Sequence, residues 1–298
     1  MMINNKSLGD KIFDFFNYIF MIVLSFIFIY PLYYVLMASL SNADKLYFHE
    51  GPIFYPLGFS LTSYELLFRD PQIVQSLINS GIYVIIGTGL SLLMTSFAAY
   101  ALTRKKYALK KFFLVLIIIT MYFGGGLIPT YLVITKILHL NDTPLAILLP
   151  GMVNTFYVFI MMSYFKTIPD SLEESAYIDG ANDFIILFRI ILPVAMPVIA
   201  VMIIYYAVGQ WNSWFNAMLY LNKKRYEYQP LQLVLREILI QSTSFKLTAN
   251  AMDSIQMEKY KRLVKYSLII VTVTPIIIIY PFMQKHFIQG IMIGSIKG

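Results

Sequence analysis

Six stretches of the chain run long enough without an internal charge to cross a bilayer core, which takes about 20 helical residues. They lie near residues 15–40, 77–102, 112–134, 145–165, 194–221 and 264–286, and no Asp, Glu, Lys or Arg falls in their interiors. An even number of spans puts both termini on one side of the membrane, together with the loop after the fourth. The pattern predicts an all-α membrane protein of six transmembrane helices, forming one domain over residues 1–298. No span is an obvious copy of another, so no internal repeat is expected. The connections are unequal. Residues 41–76 are rich in Pro, Gly and aromatics, which predicts a packed loop lying on the membrane. Residues 222–262 hold an apolar run with Leu233, Leu235, Glu237 and Ile238 that suits a helical segment.

The loop 166–193, between the fourth and fifth spans, concentrates acid: Asp170, Glu173, Glu174, Asp179 and Asp183. It must lie in water. Pro169 and Asp170 open a helix, and Ser171 with Glu174 has the spacing of a capping box. Gly180 is placed to end that helix in a left-handed conformation, and Pro193 to stop the helix that follows. The expected unit is a short helix, a glycine turn and a second short helix, lying across the membrane surface.

Within this unit Glu174-Ser175-Ala176, then Asp179-Gly180-Ala181, then Ile190-Ile191-Leu192-Pro193 resemble the EAA loop of ABC-importer permeases. That motif reads E-A-A, three residues, G, nine residues, I-x-L-P. Ser175 in place of the first Ala is the one departure, and it keeps the position small. The resemblance implies that Glu174, Ser175, Ala176, Asp179, Gly180, Ala181, Leu192 and Pro193 belong to the contact with a cytoplasmic ATPase. An ordinary capped interfacial helix is the plainer alternative for the same residues.

Composition supports the membrane reading. A chain that is 58% hydrophobic and only 13% charged cannot cover a soluble surface of this size. The net charge of +7 comes from loop lysines and arginines, and no basic run is interleaved with stacking aromatics, so nucleic acid is disfavoured as a partner. With no cysteine there is no disulfide or thiol chemistry, and His49, His139 and His286 stand apart from one another, so no metal site is expected. The chain has no G-x-x-x-x-G-K-[ST] and so no phosphate loop of its own. The first apolar run lacks a cleavage signature and is expected to stay as an anchor.

Positive charge does not settle orientation by itself. Eleven Lys and Arg fall on the side of the N-terminus and twelve on the other, but nine of the twelve lie in residues 222–265. Setting those nine aside leaves eleven against three, which favours a cytoplasmic N-terminus.

Spans free of ionisable groups argue against ion-coupled transport, because such carriers commonly need intramembrane acids or broken-helix ion sites. They fit a pathway driven from outside the membrane through a protein contact. The fifth span carries Gln210, Trp211, Asn212, Ser213, Trp214 and Asn216. Amides beside indoles suit a sugar, whose ring stacks and whose hydroxyls need partners, and they equally suit an interfacial belt with helix–helix hydrogen bonds. Gly124, Gly125, Gly126 and Pro129 should break the third span and let helices pack closely.

Taken with six spans and the glycine-containing tail 290–298, the chain resembles the maltose-type permease partner of carbohydrate-uptake ABC importers. The FGGGLIPTY and GQWNSWFNA stretches are most similar to the polysaccharide and oligosaccharide subgroup. The resemblance implies a bacterial cytoplasmic-membrane location with both termini inside. It also implies a second related permease, two copies of an ATPase that holds ATP and Mg, and an extracellular sugar-binding protein. No cofactor is expected in this chain. Two other classes stay open: a peptide or amino-acid importer, and a non-transport membrane enzyme, which should show clustered acids, histidines or a metal set.

Overall fold

The computed structural model describes residues 7–104, 107–222, 226–240 and 254–295, the last helix as backbone only beyond residue 284. Lys6, Lys105, Lys106, Lys223, Lys224, Arg225, Lys246 and Lys297, counted above for orientation, lie outside the described residues, as do tail residues 296–298. The described chain is helical, with one isolated bridge between Ser41 and Phe59. It divides into two compact units, Met1–Asp70 with Ile238–Val273 and Pro71–Glu237 with Thr274–Gly298.

The first unit begins with α1 (Leu8–Ser39), opened by a true capping box in which Ser7 and Asp10 exchange hydrogen bonds. None of the most apolar stretch of α1 is buried. A helix with apolar side chains exposed all round needs lipid or another apolar chain around it. Below it the loop folds on itself through α2 (Ala43–Tyr47) and α3 (Thr62–Arg69). Ala38, Ala43, Leu46, Ile53 and Leu263 form its core. Ser41 accepts from the Leu57 amide at 2.9 Å, and Ser63 donates to the Ser39 carbonyl at 2.7 Å. Lys259 pairs with Asp44 at 2.7 Å. The expected packed loop is therefore present.

The second unit is built on α4 (Pro71–Thr103), a 33-residue helix that starts on a proline, where the missing N–H costs nothing. It begins six residues ahead of the predicted span. One face is small or polar, with Gly87, Ser91, Thr95 and Ala99 buried, and α4 packs there. The remaining elements are α5 (Lys110–Tyr122), α6 (Leu127–Leu132) running into a wide π turn (Val133–Ile137), α7 (Leu145–Leu148) and α8 (Thr155–Phe165). After these come α9 (Asp170–Ile178), α10 (Asp183–Ile186), a π turn (Leu187–Ile191), α11 (Leu192–Val194), α12 (Met196–Trp211) and α13 (Phe215–Tyr220). Helix α14 (Leu231–Ile240) confirms the helical segment expected around Leu233, and α15 (Ser254–Ser295) closes the chain. Helices α12 and α8 both lie on α4. A Cβ at Gly87 would stand 2.7 Å from the Gln210 side chain and 3.0 Å from that of Leu148, so the glycine permits this approach.

Three of the predicted spans are single helices long and apolar enough to cross a membrane: α1, α4 and Glu258–Pro281 within α15. The others are interrupted. Lys110–Tyr122 and Leu127–Ile137 meet at 113°, because Phe123 turns extended and Gly126 takes φ +84°, as the glycine run predicts. Asp183–Val194 and Met196–Trp211 meet at 87°. The stop expected at Pro193 comes instead at Ala195, since Pro193 is accommodated within α11. Stretch 145–165 is two helices rather than one. Pro150 lacks an N–H and Gly151 takes φ +85°, and Asn154 then caps α8 through the amides of Phe156 and Tyr157.

Segment 226–231 is gripped by α4 through side chains. Asn79 Nδ2 donates to the carbonyls of Glu227 at 2.7 Å and Gln229 at 3.1 Å. Tyr83 donates to the Tyr228 carbonyl at 2.7 Å, and Ser80 accepts from the Leu231 amide at 2.8 Å. Asn79→Leu strands two carbonyls and should cost about 1–3 kcal/mol, read as a lower thermal midpoint of the purified complex. Ser76→Ala, which removes a buried hydroxyl with no partner among the described residues, should cost less or stabilise. Equal losses in both would mean that volume, and not hydrogen bonding, holds this segment.

Candidate functional site

Helix α9 begins at Asp170 after an extended Pro169, two residues earlier than the capping box requires. Ser171 therefore sits inside the first turn and caps nothing, and its carbonyl accepts from Ser175 Oγ at 2.8 Å. Asp170 and Glu173 in that first turn favour the positive end of the helix dipole. At the other end Gly180 has φ +79°, the Ala181 amide reaches back to the Ala176 carbonyl at 2.9 Å and Gly180 to that of Tyr177 at 3.1 Å. This pair of bonds is a Schellman stop that needs a residue free to turn left-handed. Asn182 then caps α10, accepting from Ile185 at 2.9 Å. The helix, glycine turn and helix are as the sequence predicts.

The loop is fixed from behind. Ala176 is buried in the largest core cluster with Ala99 and Leu102 of α4, Phe165 of α8, and Ile186 and Ile191. Arg104, at the end of α4, pairs with Glu173; both side chains are largely buried. Its guanidinium lies 4.3 Å over the Tyr100 ring and donates to Thr103 Oγ1 at 3.1 Å. Asp183 accepts from the hydroxyls of Tyr177 and, at 3.4 Å, Tyr100. The Tyr177 phenol titrates above the usual tyrosine range, first because its bond to Asp183 holds the proton and then because of burial. These groups line a groove of about 780 Å³ that also takes in Tyr107 and Lys166.

The residues named from sequence thus divide by face. Glu174, Ser175, Asp179 and Gly180 are exposed, and among the described residues Glu174 makes no ion pair or hydrogen bond. Ala176 corrects the expectation that both small residues face a partner, because it packs inward. Ala181 and Leu192 lie half-buried against the same core, and Pro193 lines an apolar hollow with Leu92 and Phe188. Sequence reasoning chose Glu174 and passed over Glu173 and Arg104. The signal available was an arginine directly after a long apolar stretch, in a loop placed on the same side.

The amide and indole residues gather at the break between α12 and α13. Gln210 covers Gly87, Trp211 is buried, and Asn216 donates to the Ile147 carbonyl at 3.5 Å. Asn212, exposed, accepts from Gln232 of α14 at 3.3 Å. Trp214 lies under Arg236. Gln232 and Arg236 were not singled out from sequence. Among the described residues no three His, Asp or Glu side chains come together as a metal site would need.

The family model described as binding-protein-dependent transport system inner membrane component matches residues 91–293. The chain belongs to this family. The match takes in α9 through α13 and the core behind them. The polygalacturonan/rhamnogalacturonan transport system permease protein YtcP of Bacillus subtilis (strain 168) is 37% identical over 97% of this chain and 99% of its own length. Protein LplC of the same organism is 38% identical over 100% of this chain and 98% of its own. Among solved structures, a chain from a bacterial ABC transporter involved in the import of the acidic polysaccharide alginate superposes with a TM-score of 0.84 at 29% identity, over 95% of this chain and 99% of that one. The permease is a membrane transport component, not an enzyme, and ATP hydrolysis belongs to a separate subunit.

In this permease the Arg104–Glu173 pair can be tested by exchange. Arg104→Glu places two acids together where both side chains are largely buried and should sharply reduce ATP-driven uptake, since breaking a buried pair costs about 3–5 kcal/mol. Adding Glu173→Arg should restore most of it. No recovery in the double variant, with both proteins inserted, would mean the pair does not position the loop.

Proposed function

We propose that this permease is one of two related membrane subunits of a binding-protein-dependent ABC importer for oligosaccharide or polysaccharide fragments. Helix α9 is the coupling element. One of two copies of a cytoplasmic ATPase, which holds ATP and Mg, meets its exposed edge, and an extracellular sugar-binding protein delivers the substrate. Six spans cross the cytoplasmic membrane, the bent pairs and α8 completing the three uninterrupted helices. Both termini and loop 166–193 lie inside, with 222–262 outside.

The observation that carries this reading is the two-faced build of α9. Its back is held by Ala176 and the Arg104–Glu173 pair, while Glu174, Ser175 and Asp179 stand free on the other side. A push on the free edge therefore moves α4, and not the loop alone. The substrates printed for YtcP and the alginate importer support a carbohydrate, as do the amides and indoles at the α12–α13 break. Asn212, Trp214 and Gln210 line part of the path, with Trp211 and Asn216 bracing them from inside.

Orientation is checked with single cysteines, since the chain has none of its own. Ser171→Cys should label only from the cytoplasmic face and Glu227→Cys only from outside; labelling of both from outside intact cells would sink the topology. Coupling is checked in vesicles that hold the whole complex. Glu174→Lys reverses the free charge, and Gly180→Val strains a left-handed turn by roughly 1–2 kcal/mol. At Gly180 nothing lies within 4 Å of an added Cβ, so the backbone alone is perturbed. Both variants should insert normally yet lose sugar uptake. Normal uptake with normal sugar-stimulated hydrolysis in both would remove the coupling role from this loop.

A further inference from the structure

The Arg236 guanidinium lies 4.7 Å over the ring of Trp214, and its Nη1 is buried with no hydrogen-bond partner among the described residues. A guanidinium carries five donors and does not lose its charge, so an unpaired nitrogen in such a place is costly. The site is built, not accidental. Gln232, one turn before Arg236 on the same face of α14, donates to Asn212 at 3.3 Å across the break between α12 and α13. Trp214 packs against the core that includes Tyr83, Leu148 and Leu233. The start of α14 is anchored where Leu231 donates to Ser80. A cation, an indole and two amides are thus held at one place in the second unit.

We infer that this cluster recognises the carboxylate of an acidic sugar residue, so that the transported carbohydrate is anionic. The inference rests on the carbohydrate reading above and adds the charge. A carboxylate matches the planar fork of Arg236 through two parallel hydrogen bonds. The indole holds the guanidinium from below, and the sugar's hydroxyls exchange with the Asn212–Gln232 hydrogen bond. A neutral sugar can offer hydroxyl acceptors but no charge to match the guanidinium and no planar pair of oxygens.

A second feature of the sequence agrees. Residues 222–265 hold nine Lys and Arg against four Asp and Glu. In the proposed orientation this excess lies outside, where positive loops are disfavoured. A field of one sign raises the local concentration and encounter rate of an anionic substrate, which gives this excess a function.

The test uses the complete complex in vesicles and two probes: the acidic oligosaccharide pool from partial hydrolysis of pectin, and the same pool after its carboxyls are reduced to alcohols. Wild type should take up the acidic pool in preference. Arg236→Gln should cut uptake of the acidic pool about tenfold to a hundredfold. It should lower uptake of the reduced pool far less, and Arg236→Lys should fall between. An equal loss on both pools would assign Arg236 a packing role and overturn the proposal. So would no loss on either, or a wild-type preference for the reduced pool, while the carbohydrate reading stood. Uptake of neither pool would overturn the carbohydrate reading and the site with it.

Discussion

Close packing on one face of α4 is the constraint from which the second unit follows. A 33-residue helix at about 1.5 Å per residue spans about 50 Å, more than the bilayer core requires. Its buried face is mostly small or hydroxyl-bearing, so side chains of its neighbours seat directly on its backbone, as Gln210 does at Gly87. Lipid cannot drive helices together as water does, and such fit is what holds them. The same helix grips segment 226–231 near one end and ends in Arg104 at the other. The two candidate sites, the α9 loop and the Arg236–Trp214 cluster, are fastened to opposite ends of one rod.

This arrangement accounts for the spread of polar groups. The span interiors carry no charge, so among the described residues of the second unit ionic chemistry gathers where the rod ends. At one end Arg104 and Glu173 satisfy each other and leave Glu174 for a partner. At the other Arg236 has an indole below it and, among the described residues, no partner for its Nη1. One charge set is closed within the chain, and two groups are left open to what lies beyond it.

Much of the loop was legible because its signals are local. Gly180 reads as a left-handed stop from its place after a short acidic helix, and a second short helix follows it. The helix about Leu233 and the glycine break before Pro129 were legible for the same reason. Continuity of the spans was not. The predicted spans run straight through Pro150-Gly151 and through Asn212–Trp214, while the helix does not, because backbone hydrogen bonding and not average hydropathy decides where a helix breaks. Facing was also hidden. Ser175 and Ala176 are equally small in sequence, and only the packing of α9 on Phe165 and Ile186 sends Ala176 inward. The pairs that matter most, Arg104 with Glu173 and Arg236 with Trp214, join residues far apart in the chain, which spacing cannot reveal.

If α9 and α4 form one mechanical body, the distance between them must not change as ATP is bound and hydrolysed. Spin labels at Ser175→Cys on the free edge of α9 and Ile85→Cys on the exposed side of α4 give that distance by pulsed electron resonance in the assembled complex. A single distance distribution, the same with and without trapped nucleotide while sugar is transported, is the predicted result. A second, nucleotide-dependent population would mean that the loop moves independently of α4, and that force enters the membrane by another route.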